Sequence, residues 1–435
     1  MTQEHINRVW LIIFGDFIAF WASFLIILFV RLGAVSFHAA ISTHIIPFAI
    51  LYLLWGLSFY LFGFYDLFSI KPTISHLNRF GIALFTSFIT GISLFYFVPG
   101  FGIAPKTILI FQVIGFGLFS FLTRRMIYLF FSRSITRPVS LVGTSSDMDK
   151  INRVISNNPQ LGLQVISRTD NSLEAIRTYA STENLVLVFE NIPDAIPKES
   201  VITLYKNNAE IINVAQAYER YLQKIPVDHI NQTWIIENIS IKENIMYSIA
   251  KKIIDTVVPV LVLALTSPVT AVCSLFIFLH DRGPVVYGQE RVGLNGRIFK
   301  LYKLRSMIMD SELNGAVWAD RHDGRITPIG KIIRKLHIDE IPQMINILKG
   351  DISLVGPRPE RPEFVTPLEG AIPHYELRHI IRPGFTGWAQ IKYRYASTAE
   401  DSKEKFEYDL YYIKNKNIFL DFAIILKTIQ IIFTH

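Results

Sequence analysis

Long apolar stretches dominate the first 131 residues of the chain. Four windows, 9–30, 45–64, 80–98 and 108–122 with its continuation to 131, are as long, or nearly as long, as a helix that crosses a bilayer. Tryptophan and tyrosine residues lie in or near the ends of these windows, as in the aromatic belts of membrane proteins. The pattern predicts a bundle of four transmembrane helices over residues 1–131.

A different pattern covers residues 132–240. Short apolar runs at 139–142, 185–189 and 211–214 alternate with helical periodicity, which predicts a small, doubly wound, Rossmann-like α/β domain. The first run ends at Gly143, where a nucleotide-binding turn would begin, but the G-x-G-x-x-G fingerprint is absent. We therefore favour a structural or regulatory module, with a cofactor-binding domain as the alternative.

A fifth apolar window, 253–279, is interrupted at its centre by Ser267 and Pro268. One interpretation is a fifth transmembrane helix with a proline kink. Basic residues flank both ends, however, including Lys242 and Lys252 before the window and Arg282 after it, and basic flanks stay in the cytoplasm. We therefore expect a re-entrant helix that breaks at Pro268 and returns to the same face, with the Ser267 hydroxyl capping freed backbone groups.

Charge also sets the orientation of the chain. The loops that carry arginine and lysine, with Arg8, Lys71 and Arg124 among them, place the N-terminus and everything after residue 131 in the cytoplasm. A net charge of +7 favours apposition to anionic lipid headgroups, and no basic-aromatic motif indicates a nucleic-acid partner. A single cysteine, Cys273, excludes a disulfide framework and a cysteine-based zinc site.

Residues 280–435 carry three motif-rich strings, at 299–307, at 334–360, and at 382–390 followed by 406–412. Asp339 and Glu340 stand side by side in the second string, and Pro342 indicates that a helix begins near them. The positive end of that helix would keep both carboxylates ionised and attract phosphate. Because magnesium is commonly held by one or two carboxylates plus substrate phosphate, Asp339 and Glu340 are candidate Mg²⁺ ligands.

Cations accompany this acidic pair. Lys303, Arg334 and Arg358 could neutralise a diphosphate, and the prolines of Gly-Pro-Arg-Pro would hold the Arg358 backbone in place. A surface ion pair is the competing interpretation for any one of these residues. Taken together, the residues predict phosphate chemistry beside a membrane.

The three strings and the Ser267-Pro268 break resemble the bacterial sugar transferase family, the monotopic polyprenyl-phosphate phosphoglycosyl transferases, over residues 245–435. The four spans and the α/β module resemble its long members, which start O-antigen, capsule or exopolysaccharide synthesis. The resemblance implies a Ser-Pro re-entrant hairpin, Asp339 as nucleophile and Glu340 as magnesium ligand. It extends the site to Lys303, Asp409 and the phosphate-binding Arg334 and Arg358.

The resemblance also implies a two-step reaction. A hexose-1-phosphate would pass from a UDP-hexose to polyprenyl (undecaprenyl) phosphate through an aspartyl phosphosugar, with release of UMP. The expected domains are 1–131, 132–240 and 241–435, the last a mainly α-helical catalytic domain at the cytoplasmic face of the bacterial inner membrane. The hexose and the pathway stay open, as does a homodimer.

Three alternatives stay open at this stage. Residues 418–433 form either a helix at the membrane interface or an ordinary core helix. A transporter would explain the spans, although its polar site should lie among them, where Asp16 is the main charge. A sensing protein would explain the α/β module but would leave the Asp-Glu region without a role.

Overall fold

The computed structural model describes residues 3–66, 70–71, 73–98, 101, 106–133, 136–193, 196–239, 244–308, 324–393 and 398–434. The chain divides into two compact units, Met1–Leu222 and Gln223–His435. The first unit contains the apolar bundle and the α/β region, and the second contains the three motif-rich strings.

The bundle consists of the helices α1 (Gln3–Leu61), α2 (Ile74–Phe97) and α3 (Lys106–Arg133). Gly33, with a φ of 68°, divides α1 into two apolar spans, Asn7–Gly33 and Ser36–Leu61. Glycine adopts this left-handed conformation without steric cost. Within the described residues, the bundle therefore contains four helical segments long and apolar enough to cross a membrane, as the apolar windows predicted.

A buried ion pair connects the spans of the bundle. Arg124 on α3 pairs with Asp16 on α1, and Ser120 Oγ donates a 2.6 Å hydrogen bond to the same carboxylate. Arg124 Nη1 also donates to the Phe64 carbonyl at 2.6 Å. Because an unpaired charge is costly in a bilayer, this pairing accounts for the presence of Asp16 among apolar neighbours.

The α/β region has a four-stranded parallel sheet in the order β2-β1-β3-β4. Its elements are β1 (Arg137–Val142), α4 (Ser146–Asn157), β2 (Leu163–Thr169), α5 (Ser172–Tyr179), β3 (Val186–Phe189), α6 (Lys198–Lys206), β4 (Glu210–Asn213) and α7 (Val214–Ala217). Two apolar clusters pack against the sheet, one with α4 and α7 and the other with α5 and α6. Strand β2 was not predicted. It is an edge strand whose side chains alternate between partly buried and exposed, so its sequence contains no continuous apolar run.

The backbone amides in the turn between β1 and α4 donate hydrogen bonds to a carboxylate of the chain itself. Glu190 Oε2 accepts hydrogen bonds from the Thr144 and Ser145 amides at 3.2 and 3.3 Å. Gly143 has a φ of 144°, and a Cβ at this position would collide with the Glu190 side chain. These amides are the groups that nucleotide-binding domains offer to phosphate. Their contact with Glu190 favours the structural interpretation of the module.

The second unit is mainly helical. Its elements are α8 (Gln232–Asn238), α9 (Ile245–Asp281), β5 (Val286–Val292), β6 (Ile298–Leu304), α10 (Pro328–Lys335), α11 (Gln343–Lys349), β7 (Ser353–Val355), α12 (Pro362–Ala371), β8 (Gly384–Thr386), α13 (Trp388–Lys392), α14 (Ala399–Asn415) and α15 (Ile418–Thr434). Strands β5 and β6 form an antiparallel hairpin, and β7 and β8 form a parallel pair. These two small sheets were not predicted from the sequence.

The second unit begins earlier than the predicted boundary at residue 241. Ile225, Val227 and Ile230 are buried in its main apolar cluster, together with residues of α11 and α14. Trp388 Nε1 donates to the Gln223 carbonyl at 3.0 Å, and the Ile225 amide donates to the Glu407 carbonyl at 3.0 Å. The segment after Leu222 therefore belongs to the same core as the motif-rich strings.

Helix α9 includes Ser267 and Pro268, the site of the predicted break. Its helical conformation continues through Ser267 and Pro268, where the sequence predicted an interruption. Ser267 Oγ donates to the Ala264 carbonyl at 2.8 Å, the group that Pro268 leaves without an amide partner, as expected for a capping hydroxyl. Lys242, one of the predicted basic flanks, lies outside the described residues. The re-entrant course itself stays a prediction.

Both ends of α9 contact the rest of the second unit. Near its start, Lys251 Nζ donates to the Val355 carbonyl at 3.0 Å and to Asp421 at 2.9 Å. At its end, Asp281 pairs with Arg305, which follows β6. Most of the side chains between these contacts are apolar, and most are exposed.

Helix α15 has features of both interpretations of residues 418–433, a core helix and an interfacial helix. Asp421 and Ile424 are buried, and Ile424 lies in the main apolar cluster. On the same helix, Phe419 is 82% exposed and Phe422 is 54% exposed. One face is thus a core face, and the other is an apolar surface of the kind that lies on a membrane.

Candidate active site

The acidic pair lies in a tight turn between two helices. After α10 the chain passes through His337, which has a left-handed φ of 55°, into a 3₁₀ turn, Ile338–Glu340. Pro342 directly precedes α11. The helix predicted near Asp339 is therefore present as this short turn, which places both carboxylates between α10 and α11.

Glu340 is the centre of an ion cluster. Its Oε1 accepts from Arg358 Nη2 at 2.7 Å and from Lys303 Nζ at 3.4 Å. Burial opposes ionisation of Glu340, but Arg358 and Lys303 outweigh burial and hold the pKa of this carboxyl well below its usual range. Burial in turn lowers the pKa of Lys303, and Glu340 raises the pKa of Arg358. Glu340 is thus an anion whose charge two cations balance.

Asp339 is in a different state. It is 8% exposed, yet within the described ranges it forms no hydrogen bond or ion pair. Burial and the neighbouring Glu340 raise the pKa of the Asp339 carboxyl, against the attraction of Lys303 and Arg334. We expected a helix terminus to favour ionisation of both carboxylates. The pKa of Glu340 is lowered, but Arg358 and Lys303 lower it and not a helix terminus, whereas the pKa of Asp339 is raised because burial dominates.

Arg334 reaches the same region from α10. Its Nε donates to Ser306 Oγ at 2.8 Å, and its terminal nitrogens have no hydrogen-bonding partner in the part of the chain that the structure describes. Gly330 allows this approach, since a Cβ there would collide with the Ser306 carbonyl. The guanidinium is therefore fixed at one nitrogen, and its other two can bind phosphate oxygens as far as the described residues are concerned.

Arg378 holds the loop that carries Arg358. Its Nη2 donates to the Arg358 carbonyl at 3.0 Å and to Asp409 Oδ2 at 3.1 Å. Asp409 is 2% exposed, and burial raises the pKa of its carboxyl to about 6 even though Arg378 favours the anion. Asp409 thus acts on the site through Arg378, as a positioning residue. Sequence reasoning missed Arg378 because no motif surrounds it.

The predicted residues fall into three groups. Lys303, Glu340 and Arg358 form the ion cluster, and Asp339 and Arg334 adjoin it. Asp409 connects to it through Arg378. Ser267 and Pro268 lie in the exposed apolar middle of α9.

The acidic pair could hold a magnesium ion only together with ligands from the substrate and water. Among the described residues, no three His, Cys, Asp or Glu side chains converge on a common point. The chain would therefore supply the Asp339 carboxylate and the second oxygen of Glu340, which accepts no hydrogen bond from a described residue. Substrate phosphate and water would complete the shell, which is the usual arrangement for magnesium.

Comparison with known proteins identifies relatives of the second unit. Residues 246–435 match the family model described as bacterial sugar transferase. The chain is 42% identical over 224 residues to the UDP-N-acetylgalactosamine-undecaprenyl-phosphate N-acetylgalactosaminephosphotransferase of Aeromonas hydrophila, covering 52% of each chain. It is 36% identical to the UDP-glucose:undecaprenyl-phosphate glucose-1-phosphate transferase of Caulobacter vibrioides, covering 42% of this chain and 70% of the relative.

A third relative is matched over a longer stretch. The undecaprenyl-phosphate glucose phosphotransferase of Komagataeibacter xylinus is 31% identical over 318 residues, covering 69% of this chain and 59% of the relative. The chain thus spans about half the length of the Aeromonas protein and more of the other two.

Proposed function

Because the chain belongs to the bacterial sugar transferase family, we propose that it transfers a sugar-1-phosphate from a UDP-sugar to undecaprenyl phosphate. The names of the three relatives support this acceptor. The observation that carries the proposal is the contrast within the acidic pair. Glu340 is held by two cations, whereas Asp339 has no such partner among the described residues and is free to react.

The reaction has two displacements at one phosphorus. A carboxylate oxygen of Asp339 attacks the sugar-bearing β-phosphorus of the UDP-sugar, the bond from this phosphorus to the bridging oxygen breaks, and UMP leaves. A phosphate oxygen of undecaprenyl phosphate then attacks the same phosphorus, and the acyl phosphate bond breaks to regenerate the carboxylate. The product is undecaprenyl-diphospho-sugar. Aspartyl phosphates of this kind are established covalent intermediates.

The cations around the pair stabilise charge on the phosphoryl oxygens. Arg334 offers two nitrogens that have no partner among the described residues, and Arg358 is held in place at its carbonyl by Arg378. Lys303 adds a half-buried positive charge. Such preorganised charge contributes most of the catalysis in phosphoryl transfer. A magnesium ion held by Asp339 and Glu340 would neutralise diphosphate oxygens.

The contacts of α9 support a re-entrant course, and the basic residues on both sides of its apolar stretch support the cytoplasmic face of the inner membrane. A straight α-helix rises about 1.5 Å per residue, so the 37 residues of α9 would extend for about 55 Å. Contacts of both ends with one compact unit favour a re-entrant course over a span. This course places the acidic pair at headgroup level, where a soluble nucleotide and an apolar lipid can meet.

N-acetylgalactosamine is our first candidate for the transferred sugar. The Aeromonas relative, named for this sugar, is 42% identical, whereas the Caulobacter and Komagataeibacter relatives, named for glucose, are 36% and 31% identical. The buried Asp16–Arg124 pair argues against the transporter alternative, because the charge of Asp16 is already matched within the bundle.

Lipid-free labelling tests the proposal. Purified protein is incubated with UDP-N-acetylgalactosamine, UDP-glucose or UDP-galactose, labelled at either the α- or the β-phosphate, without acceptor. We expect UMP release and retention of only the β-label, on Asp339, followed by transfer of the label to undecaprenyl phosphate when this is added.

Asp339→Asn should lower activity by several orders of magnitude, because an amide is a poor nucleophile. Asp170→Asn, at an exposed aspartate of the first unit, is the matched control.

Two results would contradict this mechanism. If UMP appears only when acceptor is present and no labelled protein can be trapped, transfer is direct and Asp339 is a base or a ligand. If no UDP-sugar yields UMP with any polyprenyl phosphate, the proposed activity itself is wrong.

The Glu340→Gln variant should also lose most of its activity, and added magnesium should restore part of this activity.

A further inference from the structure

A cavity of about 360 Å³ lies beside the start of α9, within the second unit. Side chains of α9, the loop before β8 and the loop between α14 and α15 line it. Its polar lining includes Lys251, Lys252, Asp255, Arg382, Tyr412 and Lys416. Four of these six side chains are cationic and one is anionic, so the lining has a positive net charge that would attract an anion.

The innermost charges of the cavity are already satisfied. Lys251 donates to the Val355 carbonyl and pairs with Asp421 at 2.9 Å. Asp255 accepts from Ser353 Oγ and the Leu354 amide, both at 2.8 Å. These contacts fix α9 to the end of β7 and give the cavity rigid walls.

Lys252 and Arg382 differ from these residues in exposure and in hydrogen bonding. Both side chains are exposed, and neither has a hydrogen-bonding or ion-pairing partner in the stretches that the structure describes. They approach the cavity from two separate elements, α9 and the loop before β8. Two uncommitted cations across one cavity would repel each other unless an anion lies between them.

Exposed apolar side chains surround this cavity, as expected at the surface of a membrane. Ile245 and Met246 are about three-quarters exposed, at 76% and 75%, and Ile249 is 53% exposed, all on the first turns of α9. The apolar stretch of α9 continues directly after Lys252. Basic side chains next to exposed apolar ones are typical of a helix that lies at the headgroup level of a bilayer.

We propose that this cavity binds the phosphate of an anionic phospholipid headgroup and holds the start of α9 at the membrane surface. Lys303, Arg334, Asp339, Glu340 and Arg358 do not line it, so it is separate from the acidic pair. The adjoining exposed apolar side chains provide a surface for the acyl chains, which a soluble phosphate does not require.

Lipid binding by the delipidated full-length protein tests this proposal without any turnover. Native mass spectrometry measures retention of phosphatidylglycerol and phosphatidylcholine at matched concentrations. We expect preferential retention of phosphatidylglycerol, and a tenfold or greater loss of its affinity in K252Q/R382Q, on the scale of two cation–headgroup contacts at a membrane surface. The control K331Q/K335Q removes the same charge from two exposed lysines of α10 and should bind as the parent does.

A second variant separates the cavity from general charge effects. Ser248→Phe fills the cavity without changing charge, and it should weaken phosphatidylglycerol binding to a similar extent. Equal losses in the control and in K252Q/R382Q, or no loss in either cavity variant, would overturn the proposal.

Two further arms distinguish other sources of phosphate. If undecaprenyl phosphate displaces phosphatidylglycerol, and K252Q/R382Q raises KM for this acceptor with kcat unchanged, the cavity belongs to the acceptor and the phospholipid assignment is wrong. If millimolar inorganic phosphate displaces the lipid completely, the cavity recognises free phosphate, and the assignment also fails.

Discussion

Two neighbouring carboxylates in this chain have opposite surroundings. Glu340 lies between Arg358 and Lys303, and its pKa is lowered, whereas Asp339 has no ion-pairing partner within the described ranges, and its pKa is raised. Adjacent residues can differ in this way because the 3₁₀ turn directs their side chains along different paths. This contrast is the reason that the proposed mechanism assigns the nucleophilic attack to Asp339 and not to Glu340.

Asp409 should impose a pH dependence on stability. Burial raises the pKa of its carboxyl from 3.8 to about 6, so the folded chain holds a proton that the unfolded chain has lost between these values. The contribution of Asp409 to the free energy of unfolding is therefore largest below pH 4. It declines as pH rises through about 6, by about 1–3 kcal/mol.

Asp409→Asn isolates this contribution. The difference between the thermal stabilities of the wild type and the variant, measured in detergent from pH 4 to 8, should change between about pH 4 and 6 and be flat above. Glu369→Gln, at an exposed carboxylate, is the control. A flat difference over the whole range would show that Asp409 is already ionised at pH 4.

At the scale of elements, Glu190 stabilises the start of α4. Its carboxylate accepts hydrogen bonds from the amides of Thr144 and Ser145, where a helix end leaves backbone donors without partners. Glu190→Gln removes the negative charge that interacts favourably with the helix dipole, a contribution of about 0.3–1 kcal/mol. We expect faster hydrogen exchange over Ser146–Asn157 in the variant, measured by mass spectrometry, and unchanged exchange over α11.

Helix α9 allows a test of the re-entrant course. In a Cys273→Ser background, Glu290→Cys places a thiol at an exposed position on β5. An impermeant thiol reagent should label it in inside-out vesicles and not from the periplasmic side. Pro268→Leu restores an amide that can bond to the Ala264 carbonyl, so it favours a straight helix, and part of this population should become labelled from outside. Periplasmic labelling of the parent would refute the re-entrant course.

At the scale of the whole molecule, the unit boundary at Leu222 predicts which truncations fold. A chain starting at Gln223 retains Ile225, Val227 and Ile230, which are buried in the core of the second unit. It should keep transferase activity in detergent if the first unit only regulates or assembles the enzyme. A chain starting at Lys242 loses these side chains and should be destabilised by several kcal/mol, since each large buried side chain contributes about 2–5 kcal/mol.

Unfolding of both truncations, together with release of UMP, checks this prediction. Ile225→Ala in the full-length chain is the matched point substitution and should itself lower stability. If the chain starting at Gln223 folds but is inactive, the first unit takes part in catalysis. Equal stability of the two truncations would show that residues 223–241 do not support the core.

Local patterns in the sequence were sufficient for much of this protein. The apolar helices of the bundle and three of the four strands of the α/β sheet follow from apolar runs, because a segment surrounded by an apolar environment requires apolar side chains regardless of the rest of the fold. The charged strings around Asp339 were recognisable because Gly and Pro constrain the backbone locally. The capping of Ala264 by Ser267 follows from proline chemistry alone.

Only the tertiary structure decided which charged groups meet. Arg378 and Asp409 are far apart in sequence and lie in different elements, and only packing shows that together they hold the Arg358 loop. The same is true of Ile225, whose short apolar segment shows no preference for either unit until the core is formed. Burial and long-range charge pairing depend on the whole packed structure, so local sequence could predict which residues are present in the site but not their ionisation states or partners.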